Sequence, residues 1–264
     1  MDYGFTDRVG LVTGSSVGIG RGIAELLGSE GLQLALVARR QELLEEVSAT
    51  IQEAGGKAPL LLPYDLTDPE TPARIRDSVL DRFGRLDILV HNAGKSNYWF
   101  RKPIKAPDEW GNPFDIPEET WDASFAINFT PIRRITDAFL PAMIESNYGR
   151  IVLISGKWEP DHMSVGLAAK AAAAVWAKGI SREIAKYGIT INVVPVGRVN
   201  SEQLLGKILP TEEARAQVIK TIPAQRLGDA VDVASTVAFL ISEGSGYITG
   251  QNLTVDGGLS KFAF

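Results

Sequence analysis

The chain has 264 residues, 45% of them hydrophobic, which is enough for one large α/β domain, and we expect a single domain over 1–264. Its formal net charge of −5 shows no basic excess, so composition gives no reason to expect a nucleic acid or an anionic membrane surface as partner. Cysteine is absent and only two histidines occur, which excludes disulfides, thiolate catalysis and cysteine- or histidine-rich metal sites. The N-terminal residues carry no basic-then-apolar signal and no apolar run reaches membrane-spanning length, so we expect a cytoplasmic protein with small-molecule partners.

A glycine-rich turn at 13–20 lies between an apolar run at 9–12 and a helix-like segment at 21–27. This order is typical of a strand, a tight loop and a helix. Glycines allow positive φ angles and keep side chains away from a ligand, while the free N–H groups at a helix start attract anions. The spacing G-x-x-x-G-x-G differs from the usual G-x-G-x-x-G, and a plain βα connection is the alternative interpretation. The turn predicts a site for a diphosphate.

The rest of the first half alternates between strand-like and helix-like segments. Apolar runs typical of buried strands cover 32–38, 59–63 and 86–90, and helix-like segments cover 41–54 and 68–83. Alternating strands and helices predict a parallel sheet covered on both faces, with ligands at the carboxyl ends of the strands.

The second half begins with an irregular segment. Residues 95–117 are rich in proline and aromatic residues, and a loop of this length indicates either a lid over the site or a surface cover. A long helix is predicted from Pro117 through Phe139, and an alanine-rich helix from Ser164 to Tyr187. Strands are predicted at 150–155, 189–194 and 252–255, and helices near 211–220 and 230–242.

Taken together and in order, these segments resemble the short-chain dehydrogenase/reductase family, nearest its 3-oxoacyl-carrier-protein-reductase-like members. The matching pieces are 13–20, Asp65-Leu66-Thr67, Asn92-Ala93-Gly94, Asn128, 149–152, 188–194 and 246–258. The resemblance implies a single-domain, doubly wound (Rossmann-like) α/β fold with a seven-stranded parallel sheet and helices on both faces. It also implies a nicotinamide dinucleotide cofactor, a small-molecule substrate and a homo-oligomer, either a tetramer or a dimer.

The same resemblance implies which residues would hold the cofactor. Ser15 would reach the phosphates, Asp65 would accept from the adenine amino group, and Asn92 would border the ribose. The whole implied set is Gly14, Ser15, Ser16, Gly18, Ile19, Gly20, Arg39, Arg40, Asp65, Leu66, Asn92, Ala93, Gly94, Lys170, Gly197, Val199 and Ser201. After the sixth strand the family has Pro-Gly beside the nicotinamide, whereas the order here is Pro195-Val196-Gly197.

The residues after the second strand bear on the choice between NAD and NADP. In the family an acidic residue at this position holds the ribose hydroxyls and selects NAD, but here the position is Ala38, followed by Arg39 and Arg40. The planar, permanently charged guanidinium suits a 2′-phosphate, so NADP (NADPH) is expected rather than NAD. Ordinary solvated arginines at a helix start are the alternative, and Val17 lies where NADP-preferring relatives often carry a second basic residue.

The family's proton chemistry depends on a tyrosine four residues before a lysine, with a serine that polarises the carbonyl. The lysine is Lys170. The tyrosine would lie four residues earlier, on the same face of the helix, but that position is Gly166. The serine position falls on Gly156, and strand alternation predicts that Ser155 points to the other face of the sheet. The interval between the two glycines is shorter than usual in the family, so a shifted alignment is the alternative. The resemblance further implies that Lys170 binds the nicotinamide ribose and that Asn128 holds a water linking this lysine to solvent.

Other groups could replace the missing acid. His162 titrates in the required range, Tyr98 lies in the irregular segment, and Lys170 or water could also supply the proton. The first hypothesis is an NADP(H)-dependent oxidoreductase of the short-chain dehydrogenase/reductase type, acting on a small carbonyl or alcohol with a nonstandard proton donor. The alternative is a catalytically inert dinucleotide-binding pseudoenzyme with a regulatory or assembly role, favoured by glycine at both proton-handling positions.

Overall fold

The computed structural model describes residues 3–95, 116–157, 159, 164–202 and 204–261. The strands are β1 Val9–Thr13, β2 Gln33–Val37, β3 Leu60–Leu62, β4 Ile88–His91, β5 Gly149–Gly156 and β6 Ile189–Val196. The α-helices are α1 Gly18–Ser29, α2 Gln41–Glu53, α3 Thr71–Phe83, α4 Glu118–Asn128, α5 Thr130–Glu145, α6 Val165–Ile184, α7 Glu212–Ile219 and α8 Ala230–Ile241. All six strands are parallel, and they form one sheet in the order β3-β2-β1-β4-β5-β6.

Helices cover both faces of this sheet. Every residue of β1 and β4 is buried, as expected for strands that pack on both sides. Helices α1, α2 and α8 pack on one face, and α3, α5 and α6 pack on the other. The strand order reverses between β1 and β4, which is the point where a doubly wound sheet opens a crevice at its carboxyl edge. The predicted Rossmann-like fold with helices on both faces is therefore confirmed.

The prediction of a seventh strand is wrong, because a proline interrupts its ladder. Residues 251–255 run parallel to β6 but pair with it only through isolated bridges. The Leu253 N–H donates to the Val193 carbonyl (2.9 Å), and the Val255 N–H donates to the Pro195 carbonyl (2.9 Å). Between these two bonds a parallel ladder needs the N–H of residue 195, and proline has none. The described sheet therefore has six strands, with 251–255 attached beside β6.

The helix predicted from Pro117 through Phe139 is two helices. Phe129 separates α4 from α5 with φ −130° and ψ −55°, away from helical geometry. Pro131 follows in the first turn of α5, and its missing N–H cannot continue the hydrogen-bond pattern of the preceding helix. The break makes Asn128 the last residue of α4.

The alanine-rich helix is confirmed as α6, which ends in a short 3₁₀ turn at Ala185–Tyr187. Ser164 caps its start, since the Ser164 hydroxyl accepts from the Leu167 N–H (3.2 Å). Alanines at 169, 173 and 177 are buried against the sheet. None of the helices in the described ranges combines the length and the hydropathy that a membrane span requires.

Candidate dinucleotide and proton-transfer site

The glycine-rich loop between β1 and α1 is packed tightly against the end of β4. Gly14 and Gly18 have φ angles of +67° and +58°, in the left-handed region that favours glycine. A Cβ on Gly20 would lie 2.2 Å from the Gly14 carbonyl oxygen, and a Cβ on Gly14 would lie 2.8 Å from Ala93 Cα. These positions therefore exclude side chains, so a ligand at the loop would meet backbone.

The first turn of α1 presents backbone N–H groups that no side chain caps. Its N-cap residue is Val17, whose side chain cannot accept a hydrogen bond. The first N–H groups of a helix have no partner within it, and the helix dipole adds partial positive charge there. Ser16 is buried and Ile19 packs on the core, while the Ser15 hydroxyl is buried and donates to the Val37 carbonyl (3.4 Å). The backbone rather than the Ser15 hydroxyl thus fits a diphosphate.

Thr13 and Asn92 fix the loop to β4. The Asn92 Nδ2 donates to the Gly14 carbonyl (3.0 Å), and the backbone N–H groups of Asn92 and Ala93 donate to Thr13 Oγ1 (3.1 and 3.2 Å). The amide predicted to border the ribose is therefore engaged in holding the glycine-rich loop.

Two arginines and an aspartate lie past the ends of β2 and β3. Arg39, Arg40 and Asp65 are all exposed, and the neighbouring Leu66 is buried. Hydrogen bonds from the N–H (2.9 Å) and hydroxyl (2.8 Å) of Thr67, with a smaller contribution from the charge of Arg39, lower the pKa of the Asp65 carboxyl. This end of the crevice thus offers an ionised acceptor beside two exposed guanidinium groups.

Asn128 and Lys170 converge on Gly94. Asn128 is buried at the end of α4, and its Oδ1 accepts from the Lys95 N–H (2.9 Å) while its Nδ2 donates to the Lys95 carbonyl (3.1 Å). A Cβ on Gly94 would lie 2.9 Å from Asn128 Oδ1 and 3.6 Å from Lys170 Nζ. The structure therefore brings together three residues that the sequence places in one site.

The Lys170 ammonium group has an unusually low pKa. Burial lowers its pKa to about 8, because desolvation disfavours the charged form. Within the ranges that the structure describes, no carboxylate forms an ion pair with it. Lys170 can therefore release a proton much closer to neutral pH than an exposed lysine can.

Sequence reasoning missed Ser155, which lies beside Lys170. Ser155 follows Leu153 on the face of β5 that packs against α6, and it lines a small cavity with Asn128 and Lys170. Its side chain is 3% exposed, and its hydroxyl has no hydrogen-bond partner among the described residues. The sequence analysis predicts that Ser155 points to the sheet face opposite Gly156, and therefore away from the site. In the structure, the face to which Ser155 points is the face covered by α6, which carries Lys170. Strand alternation predicts the face to which Ser155 points, but it does not predict which helix covers that face.

The backbone does not require glycine at the two positions that the family resemblance assigns to the serine and the tyrosine. Neither Gly156 nor Gly166 has a positive φ. A Cβ on Gly156 would lie 3.6 Å from Leu167 Cδ1, which is an ordinary contact. Gly166 is buried in the first turn of α6, one turn before Lys170. At Gly156, the absence of a side chain is therefore not a steric necessity.

The segment after β6 reaches the glycine-rich loop. A Cβ on Gly18 would lie 3.3 Å from Ser201 Cβ, and Ser201 Oγ accepts from the Leu204 N–H (3.2 Å). Val199 is buried and forms a bridge with Gly228. Gly197 allows close packing, since a Cβ there would lie 2.7 Å from Asp256 Cβ. Of the residues predicted on the nicotinamide side, Ser201 thus lies beside the glycine-rich loop.

Two predicted acids lie outside the described residues. Tyr98 falls in the undescribed part of the irregular segment, 96–115, and His162 falls in 160–163. Their roles stay predictions. Within the described ranges, no group of three or more histidine or carboxylate side chains has an arrangement that could hold a metal ion.

Comparisons with known proteins agree with this fold. The family profile described as Enoyl-(Acyl carrier protein) reductase matches residues 14–260. The chain is 35% identical over 256 residues to the 3-oxoacyl-(acyl-carrier-protein) reductase FabG of Haemophilus influenzae, covering 96% of this chain and 98% of that protein. It is 32% identical over 260 residues to FabG of Escherichia coli, covering 97% and 98%. The crystal structure of YwfH, described as an NADPH-dependent reductase involved in bacilysin biosynthesis, has a TM-score of 0.85 at 26% identity, covering 97% of this chain and 99% of that one. The chain therefore belongs to the short-chain dehydrogenase/reductase family, as a relative of the 3-oxoacyl-(acyl-carrier-protein) reductases.

Proposed function

We propose that the protein is an NADP(H)-dependent oxidoreductase that interconverts a small carbonyl compound and its alcohol, with Lys170 as the nonstandard proton donor. The observation that carries this proposal is the partly buried Lys170 side chain beside Gly94 and Asn128, at the carboxyl edge of the sheet. The names of the relatives, which are reductases, support the reaction class.

The residues of the crevice fit a dinucleotide. Gly14 and Gly20 let the loop pack on itself and on Ala93 without side chains, and the uncapped start of α1 supplies N–H donors for the diphosphate. Asp65 offers an acceptor at the adenine end, and Ser201 borders the loop from the nicotinamide side. When bound, the cofactor would supply or accept the hydride.

NADP is the proposed cofactor because of charge. Arg39 and Arg40 are exposed past the end of β2, where the family's NAD-selecting acid would stand, and that position is Ala38. A guanidinium group donates two hydrogen bonds to a phosphate in a fixed geometry. YwfH, described as NADPH-dependent, supports the same choice.

Lys170 would manage the proton. As the carbonyl carbon gains a hydride and a C–H bond forms, the carbonyl oxygen takes one proton, and the Lys170 ammonium becomes the neutral amine. In the reverse direction the neutral amine takes the hydroxyl proton. General acids work best with a pKa near the working pH, and burial brings the pKa of Lys170 to about 8.

The direct test is NADPH consumption with a panel of ketones and aldehydes, together with separate titrations of NADPH and NADH binding. We expect turnover with at least one carbonyl class, and we expect Lys170→Met to lower kcat by about 10²–10⁴-fold. Lys170→Met with a wild-type kcat would overturn the assignment, and His162→Ala and Tyr98→Phe would then test the other predicted donors.

A second candidate is the pseudoenzyme, which glycine at both 156 and 166 favours. It predicts tight NADPH binding without turnover on any member of the panel. Since a Cβ at Gly156 makes only an ordinary contact, the pair Gly156→Ser with Gly166→Tyr restores the family's groups without a clash at the first position. Ketone reduction that arises only in this double variant would establish that the natural chain lacks the reaction.

We also propose that the chain self-associates. The exposed large apolar residues include Phe239, Tyr247 and Leu253, of which Tyr247 is fully exposed. Leu253 lies on 251–255, which covers the outer edge of β6, so these apolar side chains stand at the edge of the sheet. Light scattering of the purified chain tests this, and a Tyr247→Asp with Leu253→Asp variant should shift the mass toward a smaller species.

A further inference from the structure

We propose that Ser155 is a positioning residue for Lys170, and that its hydroxyl holds the Lys170 ammonium through one buried water. The inference rests on the proposed function of Lys170 as the proton donor. Ser155 occupies a position outside the serine, tyrosine and lysine set that the family resemblance supplies.

The Ser155 hydroxyl needs a hydrogen-bond partner. Its side chain is 3% exposed, and its Oγ makes no hydrogen bond to any described residue. A buried hydroxyl without a partner costs free energy, and most such groups in folded proteins are satisfied by protein atoms or by ordered water.

The Ser155 hydroxyl lines the same cavity as Lys170. The cavity that it lines is also lined by Ala93, Asn128 and Lys170, and has a volume of about 10 Å³. This is close to the smallest space that holds one water. A water there would find three polar groups in the lining, Ser155 Oγ, Lys170 Nζ and Asn128 Oδ1, because Asn128 Oδ1 accepts only one bond in the described structure and an amide oxygen has two lone pairs.

Burial without a partner does not by itself distinguish Ser155. Thr190 Oγ1 is also buried without a partner among the described residues. It lies in register with Arg150, at the opposite end of the sheet from the crevice, and it does not line the cavity. What distinguishes Ser155 is therefore its neighbour, and Thr190 provides a matched control.

The charged surroundings are simple. The described residues that line the cavity include no carboxylate. His91 on β4 is the titratable group on the strand beside β5; it bonds Thr136 of α5 (2.9 Å), and burial lowers its pKa to about 3, so it stays neutral at ordinary pH. Removal of the Ser155 hydroxyl should thus change the pKa of Lys170, and no neighbouring group should titrate in the same pH range.

The experiment measures the Lys170 ammonium directly, by an NMR pH titration of the lysine side-chain ¹³Cε signals in the full-length protein without substrate. The water and hydroxyl stabilise the charged form, so we expect Ser155→Ala to lower the Lys170 pKa by about one unit. Ser155→Thr, which keeps the hydroxyl, should restore it, and Thr190→Val should leave it unchanged. An unmoved pKa in Ser155→Ala, or an equal shift in Thr190→Val, overturns the proposal.

A second measurement protects against a misfolded variant. In a high-resolution crystal structure of the wild type, we expect an ordered water within hydrogen-bond distance of both Ser155 Oγ and Lys170 Nζ, and a dry cavity would overturn the proposal. Neither measurement depends on turnover. Failure of the oxidoreductase assignment would appear as NADPH binding without reaction, whereas failure of this inference would appear as an unmoved pKa in an active enzyme.

Discussion

Asn128 holds the backbone of Lys95 from both sides, since its Oδ1 accepts from the Lys95 N–H at 2.9 Å and its Nδ2 donates to the Lys95 carbonyl at 3.1 Å. The Nδ2 also donates to the Ser124 carbonyl one turn earlier in α4 (3.0 Å). One side chain therefore connects the end of α4 to the backbone that follows β4. This connection keeps Gly94 beside Lys170, so the geometry of the crevice depends on it.

Asn128→Ala should destabilise the protein and weaken NADPH binding. Both part-buried hydrogen bonds to Lys95 disappear, and each such bond contributes about 0.5–1.5 kcal/mol. Thermal unfolding and NADPH titration measure the two effects. Lys95→Ala is the matched control, because it removes only the side chain and keeps both backbone bonds. Equal losses in the two variants would contradict the role given to Asn128.

The rate of carbonyl reduction should fall as the pH rises through about 8, the pKa of Lys170. The protonated ammonium is the acid for reduction, so activity is present below this pKa and lost above it. Alcohol oxidation needs the neutral amine and should rise over the same interval. Steady-state rates with saturating cofactor, measured between about pH 7 and about pH 9.5, test both directions. Parallel profiles for the two directions would contradict Lys170 as the group that exchanges the proton.

Lys170→Met should stabilise the fold while it removes activity. The pKa of Lys170 is lowered from 10.5 to about 8 on folding, so the unfolded chain binds more protons between these values. Wild-type stability should therefore rise as the pH increases through this window, and below it the charged lysine costs about 1–2 kcal/mol after allowance for partial exposure. Denaturant unfolding at several pH values measures the slope. A variant with the same pH slope as the wild type would show that another group causes it.

Local chemistry made part of the site predictable. The loop glycines could be identified because positive φ and close approach leave a direct mark on the sequence, and Lys170 and Asn128 followed from the family resemblance. Ser155 and Pro195 show what could not be predicted. Strand alternation assigns Ser155 to one face of the sheet but does not show that α6 brings Lys170 to that face. The effect of Pro195 depends on the pairing of β6 with 251–255, where the ladder needs an N–H at position 195. The break at Phe129 is similar, since the apolar residues on both sides suggest one continuous helix.

Arg39→Ala should weaken NADPH binding by about 10–100-fold and leave NADH binding nearly unchanged. The estimate corresponds to charge-assisted hydrogen bonds to a phosphate. Arg39 is exposed past the end of β2 and close enough to Asp65 for its charge to lower that pKa. Isothermal titration with both cofactors measures the ratio, and Arg76→Ala, an exposed arginine paired with Asp77 on α3, serves as the control. Equal losses for NADPH and NADH would show that Arg39 does not select the 2′-phosphate.

Pro195→Ala should complete the ladder beside β6. The new N–H at position 195 would face the Leu253 carbonyl, between the two bonds that Val193 and Pro195 already accept there. The gain of about 0.5–1.5 kcal/mol from one hydrogen bond is offset by the loss of about 0.4–1 kcal/mol that proline contributes through the unfolded chain. Thermal stability should therefore change little, whereas hydrogen exchange should reveal a newly protected amide at 195. Pro63→Ala, at an exposed position after the edge strand β3, should create no such protection. Fast exchange at 195 would mean that 251–255 is kept out of the sheet by something other than the proline.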